Sequence, residues 1–199
     1  MTEPNRAEAD DAALIERSRR EPEAFAEVFR RYAPDITRYV TRRLGEDAAD
    51  DVVAETFLTA FKQRDRYDPS RPHARPWLYG IATHLIGRHV RTEERQLRIL
   101  ARTGVDPVTA PFTDRADERL SAEAAGRSLA KALADLPKGH RDVLLLVTWA
   151  DLTYPETAEA LGVRLGTVRS RVNRARARLR RALGGINPLT TVGEEIVYE

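Results

Sequence analysis

The chain has 199 residues, of which 42% are hydrophobic and 32% charged, and a formal net charge of +2. That length holds one large domain or two small ones, and the composition is that of a globular protein rich in surface ions. The lack of cysteine excludes disulfides, thiolate zinc sites and a cysteine nucleophile; no apolar run approaches a membrane span and the N-terminus is acidic, so a cytoplasmic protein without membrane insertion is expected.

Residues 1–21 read as an N-terminal segment. Apolar residues then recur at helical spacing almost throughout, and strand patterns are nearly absent. Phe25, Phe29, Tyr32, Ile36, Val40 and Leu44 step by three or four, which predicts a long amphipathic helix over 22–44. Pro34 is expected to kink it, and Gly45 to end it. A second helix is predicted over 46–63, with Ala49, Val53, Phe57 and Phe61 inward. The stretch 64–76, RDRYDPSRPHARP, reads as a loop. A third helix begins near Pro76, where proline suits a first turn, and runs to about 96 with Trp77, Ile81 and Leu85 inward. Trp77 reads as core.

Gly104, Pro107 and Pro111 break the periodicity, and 97–117 is assigned as a linker. Helical spacing resumes over 117–135. Pro137 opens another helix, whose unbroken run Val143 to Val147 predicts burial on most sides. Thr153 and Glu156 have capping-box spacing at the start of a short helix over 154–161, which Gly162 stops. A basic helix over 165–182 follows, and 185–199 reads as a tail. The expected fold is all-α: two small helical domains, 22–96 and 118–184, joined by a flexible linker, the second a helix-turn-helix domain.

Between Arg164 and Arg181 stand eight arginines in eighteen residues, without one Asp or Glu. A run this dense points to a polyanion. A solvated surface helix can carry similar charge, but here Val168, Val172, Ala175 and Leu179 form an apolar stripe behind it. With the capped helix and glycine turn before it, the pattern is that of a duplex-DNA reader. Arg169, Ser170, Asn173 and Arg174 face away from the stripe near the helix start and are the candidates for base edges. Arginine can take guanine, and asparagine adenine, through two hydrogen bonds. Thr167, Arg171 and Arg176 are candidates for phosphates.

Arg64, Arg66, Arg71, Arg75, Arg88, Arg91 and Arg95 make a second basic zone. His73, His84 and His89 lie within it without a ligand spacing that favours zinc. No phosphate loop, nucleophile elbow or HExxH motif occurs, so neither an enzyme nor a cofactor is expected.

The segments LPKGHRDVLLL and TYPETAEALGVRLGTVRSRVNRARARLR resemble the promoter-reading domain of bacterial extracytoplasmic-function (group 4) sigma factors of the sigma-70 family. EAFAEVFRRYAPDITRYVTRRLG, DAADDVVAETFLTAF and RPWLYGIATHLIGRHVR resemble their core-binding and promoter-melting domain, in the same order. The resemblance covers about residues 22–184. It departs at Thr157, where an aliphatic residue is usual, and at Pro155 in the first turn of the bracing helix. It implies core RNA polymerase and promoter DNA as partners, with an anti-sigma factor as a candidate third. It also implies −35 recognition by helix 165–182 and −10 recognition and melting by the first domain. By the same resemblance Asp50, Asp51, Val52 and Glu55 would dock on polymerase, and Arg71, Arg75, His84 and Arg88 would touch −10 DNA. A LuxR-type regulator is the alternative; it would need an α/β receiver domain, and the N-terminal half here lacks strand runs.

Overall fold

The computed structural model describes residues 11–102 and 128–183, and the described residues are all helix, turn and loop. The chain order is α1 (Asp11–Ser18), a 3-10 turn (Pro22–Ala24), α2 (Phe25–Leu44), α3 (Glu46–Gln63), a second 3-10 turn (Arg64–Arg66) and α4 (Arg75–Arg102). Residues 128–134 form α5. After it come α6 (Lys138–Trp149), α7 (Tyr154–Leu161) and α8 (Leu165–Ala182). Helix α1 is new relative to the sequence reading, which left 1–21 as a bare segment. Its signal was the pair Leu14–Ile15, both buried, in a run too short to show a period.

Helices α2, α3 and α4 make the first module. α2 buries Val28, Tyr32, Ile36, Tyr39 and Val40. It continues through Pro34, whose missing N–H removes one backbone bond without ending the helix. Gly45, at φ 84, joins α2 directly to α3; an L side chain rarely adopts that backbone. On α3 the inward face is Ala49, Val52, Thr56, Phe57 and Ala60, rotated from the predicted one, because Val53 and Phe61 sit at its edges. Two edge-to-face pairs, Phe25–Phe61 at 5.5 Å and Phe29–Phe57 at 4.8 Å, join α2 to α3. Phe29, placed inward by its spacing, is 46% exposed.

A buried carboxylate fixes the N-terminal end of this module. Asp11 accepts hydrogen bonds from Arg31 at 2.6 Å, from the Tyr32 hydroxyl and from the Ala74 backbone N–H at 2.9 Å. One side chain thus ties α1, α2 and the loop before α4. Full burial of a charge is tolerable because a cation and two donors surround it.

Helices α5 to α8 make the second module, and α6 is its axle. Leu144 packs with Ala132, Leu136, Ala175 and Leu179. Val143 packs with Val168 and Val172. Leu145 and Leu146, with Ala150 and Leu152, belong to the core of the first module. That three-sided burial is why the run from Val143 lacks an amphipathic gap. Through these residues of α6 the two predicted domains also pack against each other. Of the linker expected over 97–117, the first residues continue α4, which is helical through Arg102; 103–117 lies outside the described residues. So do residues 1–10, the first part of the helix predicted over 117–135, and the tail 185–199.

Candidate nucleic-acid interface

The second module presents a helix-turn-helix. Thr153 caps α7: its hydroxyl accepts from the Glu156 N–H at 3.3 Å, and its own N–H donates to the Glu156 carboxylate at 2.7 Å. Gly162 is left-handed at φ 61, and Val163 N–H closes back on the Ala158 carbonyl at 3.0 Å. That turn aims α8 away from α7 with its start exposed. Arg164 makes no side-chain cap, so the first backbone N–H groups of α8 stay open, a ready place for an anion. Thr157 is fully buried in α7 with its hydroxyl unpartnered, so the departure from an aliphatic residue leaves an unmet polar group in the core.

The stripe Val168, Val172, Ala175 and Leu179 is buried as the spacing predicts. At about 100° per residue the remaining side chains divide into two flanks. Arg169, Asn173 and Arg176 share one flank and line a groove with Tyr154 from α7. Thr167, Arg171, Arg174 and Arg178 lie on the other, toward the start of α6. There the Arg171 guanidinium lies so close over Gly139 that a Cβ would stand 3.2 Å from it. Ser170 sits between the flanks, its hydroxyl donating to the Thr167 carbonyl at 3.0 Å. Arg169, Asn173 and Arg174 are exposed, whereas Arg171 and Arg176 are half-buried against their supports. His140 lies beside the second flank. Burial, then the charges of Arg178, Arg174 and Arg171, hold its imidazole below the usual pKa. The eight arginines from 164 to 181 make no described ion pair with an acid.

The basic zone of the first module is built differently. Arg64 donates to the carbonyls of Ser18 and Phe61. Arg71 pairs with Asp68 at 3.5 Å and with Glu159 of α7 at 3.2 Å. Arg75 donates to the carbonyls of Ala150 and Asp151, at the turn between α6 and α7. Asp151 holds φ 48, the one non-glycine residue at positive φ among those described. Arg88 pairs with Glu55 across α3 and α4. Arg71, His84 and Trp77 line a cleft of about 280 Å³ together with Thr59, Gln63, Glu159 and Ala160. Trp77 is partly buried against the core and packs at a tilt against Tyr67, with ring centroids 5.0 Å apart. Tyr79 is buried, and burial first of all raises its pKa to about 12. The four −10 candidates therefore split: Arg71, Arg75 and His84 meet the second module, and Arg88 stays within the first.

Of the polymerase-docking candidates, Asp50 and Asp51 are exposed and Glu55 is half-exposed. Val52 is 4% exposed, so its side chain completes the core and cannot supply apolar contact to a partner. Leu58, on the same face as Asp51 and Glu55, is 51% exposed. It escaped the sequence reading, although an apolar residue out of phase with its helix's buried stripe is a visible signal. Among the described residues no group of His, Asp and Glu can hold a metal ion, and no helix is long and apolar enough to cross a membrane.

Both modules match known protein families. The profile of sigma-70 region 2 matches residues 28–96, and that of sigma-70 region 4 matches residues 126–179. The probable RNA polymerase sigma-C factor of Mycobacterium bovis is 34% identical over 145 residues, 71% of this chain and 74% of its own. The ECF RNA polymerase sigma factor SigW of Bacillus subtilis is 29% identical over 168 residues, 81% of this chain and 89% of its own. Among solved structures, CnrH in complex with the cytosolic domain of CnrY has a TM-score of 0.60 at 28% identity, covering 87% of this chain and 97% of that one.

Proposed function

Because the chain belongs to the extracytoplasmic-function group of the sigma-70 family, we propose that its two modules divide promoter recognition between them, with the boundary at 97–117. Sigma factors are not catalysts; they bind core RNA polymerase and direct it to promoters, and that is the function of this chain. In our reading α8 enters the major groove of the −35 element. Arg169 and Asn173 read bases from one flank, Arg174 from the other, and Ser170 from between them. Thr167, Arg171, Arg176 and the open start of α8 hold phosphates on either side. The observation that carries this reading is the flanked geometry of α8: its arginines border a buried stripe and have no acidic partner among the described residues.

The first module takes the −10 strand through Arg71, Arg75, His84 and Arg88. It docks on polymerase through Asp50, Asp51 and Glu55, with Leu58 in place of Val52 as the apolar contact. Acidic side chains around one exposed leucine suit a partner surface that is basic with an apolar centre. A protein of the anti-sigma class is a further proposed partner, supported by the likeness to CnrH, which was solved with another protein bound.

The test is reconstitution with core polymerase and selection of bound fragments from a genomic library. Promoters sharing a −35 and a −10 element, and run-off transcripts from them, are the expected result. A holoenzyme that forms but selects no shared sequence would overturn the division of labour. Leu58→Glu should weaken assembly with core polymerase while leaving DNA selection intact; unchanged assembly removes Leu58 from the docking face.

A further inference from the structure

We propose that α1 is the brace of the loop that takes the −10 strand, and that Asp11 and Arg19 are positioning residues for promoter discrimination at that element. The inference rests on the −10 assignment above. The loop runs from the end of α3 to the start of α4, residues 64–74; it carries Arg71, and Arg75 follows it directly. Discrimination between bases needs the reading groups held to within about 0.5 Å. Residues 67–74 form neither helix nor strand, so no regular ladder of backbone bonds supplies that precision. It has to come from side chains outside the loop.

Both ends of the loop are tied to α1 and the residue after it. At the entry Arg19 donates to the carbonyls of Asp65 and Tyr67, at 3.2 and 3.4 Å. Arg64 donates back to the Ser18 carbonyl at 3.2 Å. At the exit the Ala74 N–H donates to the Asp11 carboxylate at 2.9 Å. Asp11 opens α1 and Ser18 ends it, so one rigid helix, about 10 Å from end to end, sets the span between the two anchors. Inside the loop, the Tyr67 hydroxyl donates to the Arg71 carbonyl at 2.8 Å, and Asp68 accepts from the Ser70 N–H at 3.0 Å. These internal bonds give the loop its shape; the bonds to α1 give its ends their place.

The chemistry of Asp11 separates this role from plain packing. Leu14 and Ile15 already fasten α1 to the core. A buried carboxylate adds a desolvation cost there, and an apolar side chain of similar size is often as stable in such a place or more so. What the apolar side chain lacks is an acceptor for the Ala74 N–H, which is buried too. The acceptor is itself held from the other side: Arg31 reaches one carboxylate oxygen at 2.6 Å, and the Tyr32 hydroxyl reaches the other. Position thus passes from α2 through Asp11 to Ala74, one residue before Arg75.

The experiment uses the full chain assembled with core polymerase. Run-off transcript is measured on a selected promoter, on a copy with one −10 base changed, and on a copy with one −35 base changed. Asp11→Ala and, independently, Arg19→Ala should narrow the preference for the parent −10 base by about tenfold, with the −35 preference unmoved. A brace that served stability alone would lower the active fraction of factor. Transcript would then fall by one factor on all three templates, and both preferences would stay as they were; that result overturns the proposal. Asp11→Asn keeps one oxygen for the Ala74 N–H and should recover most of the −10 preference; an asparagine variant as indifferent as the alanine one removes that hydrogen bond from the positioning role. Where circular dichroism shows that Asp11→Ala has lost helix, Arg19→Ala decides, since its side chain is 30% exposed, and an unmoved −10 preference there overturns the brace. If Arg71→Ala and Arg75→Ala both keep the parent's −10 preference, the −10 assignment of the loop is what fails, and that outcome is read without touching α1.

Discussion

The two basic regions of this protein hold similar residues under opposite conditions. On α8 the arginines flank a buried apolar stripe and meet no acid among the described residues. Along residues 64–88 they are engaged: Arg64 and Arg75 by backbone carbonyls, Arg71 by Asp68 and Glu159, Arg88 by Glu55. The same side-chain chemistry is thus presented on one module and engaged by partners on the other, where Arg71 and Arg88 remain partly exposed. A count of arginines along the sequence cannot tell the two states apart. The partners that distinguish them come from residues up to 88 positions away, as for Arg71 and Glu159.

The comparison can be broken most forcefully at the shared core. Leu146 of α6 is fully buried against the first module, so Leu146→Ala should cost about 2–5 kcal/mol by cavity formation. It should also split thermal unfolding into two transitions as the engaged zone loses its partners. One transition at the parent temperature would show that α6 does not complete the first module's core. Next in size is the presented face. Arg174→Ala should weaken binding to a selected promoter by about 1–3 kcal/mol and relax one base position, with the melting temperature unmoved. Equal weakening on every sequence would make Arg174 a phosphate contact.

On the engaged side a smaller effect is expected. Both ion pairs of Arg71 are solvent-exposed, so Arg71→Ala should change the denaturant midpoint by an amount equivalent to about 1 kcal/mol at most. A larger loss would mean that the zone's arginines are scaffold rather than a binding face. The smallest effect belongs to His140. Its folded pKa lies below the ordinary histidine value, so between the two the unfolded chain binds the proton and the folded chain does not. The resulting contribution is present above the ordinary histidine range and is lost as pH falls through that range toward the folded pKa. The melting temperature of the parent should therefore fall slightly more than that of His140→Asn between pH 7.5 and 5.5, on the order of a degree or less. Equal changes would remove the coupling between His140 and the arginines of the second flank.

Much of the second module was legible from local pattern. The stripe from Val168 to Leu179, the cap at Thr153 and the left-handed Gly162 are decided within a few residues of themselves. The proposed base-reading face follows from them by helical arithmetic alone. What escaped was decided by distant partners. Val52 and Leu58 stand on one helix with similar side chains, and only the packing of α2 and α4 makes the first core and the second surface. Leu14 and Ile15 sit in a helix too short for its period to show. Asp142 looks like one more surface acid near the start of a helix; its burial depends on Arg43, three helices and a linker earlier. The junction of the modules was illegible for the same reason, since Gly80 reads in sequence only as a weak spot in a helix, whereas a Cβ there would run into the backbone of Ala160.

The separation of 99 positions between Arg43 and Asp142 has a consequence on the ribosome. At typical synthesis rates Asp142 leaves the peptidyl centre roughly 5–20 s after Arg43 does. During that interval the first module has neither the carboxylate for its arginine nor Leu145 and Leu146 for its core. A nascent chain then exposes an apolar patch and an unengaged cationic face together, a state that invites chaperones and adventitious nucleic acid before the second module has been made. Ribosomes stalled with residue 100 at the tunnel mouth should bind a hydrophobic dye that completed chains exclude.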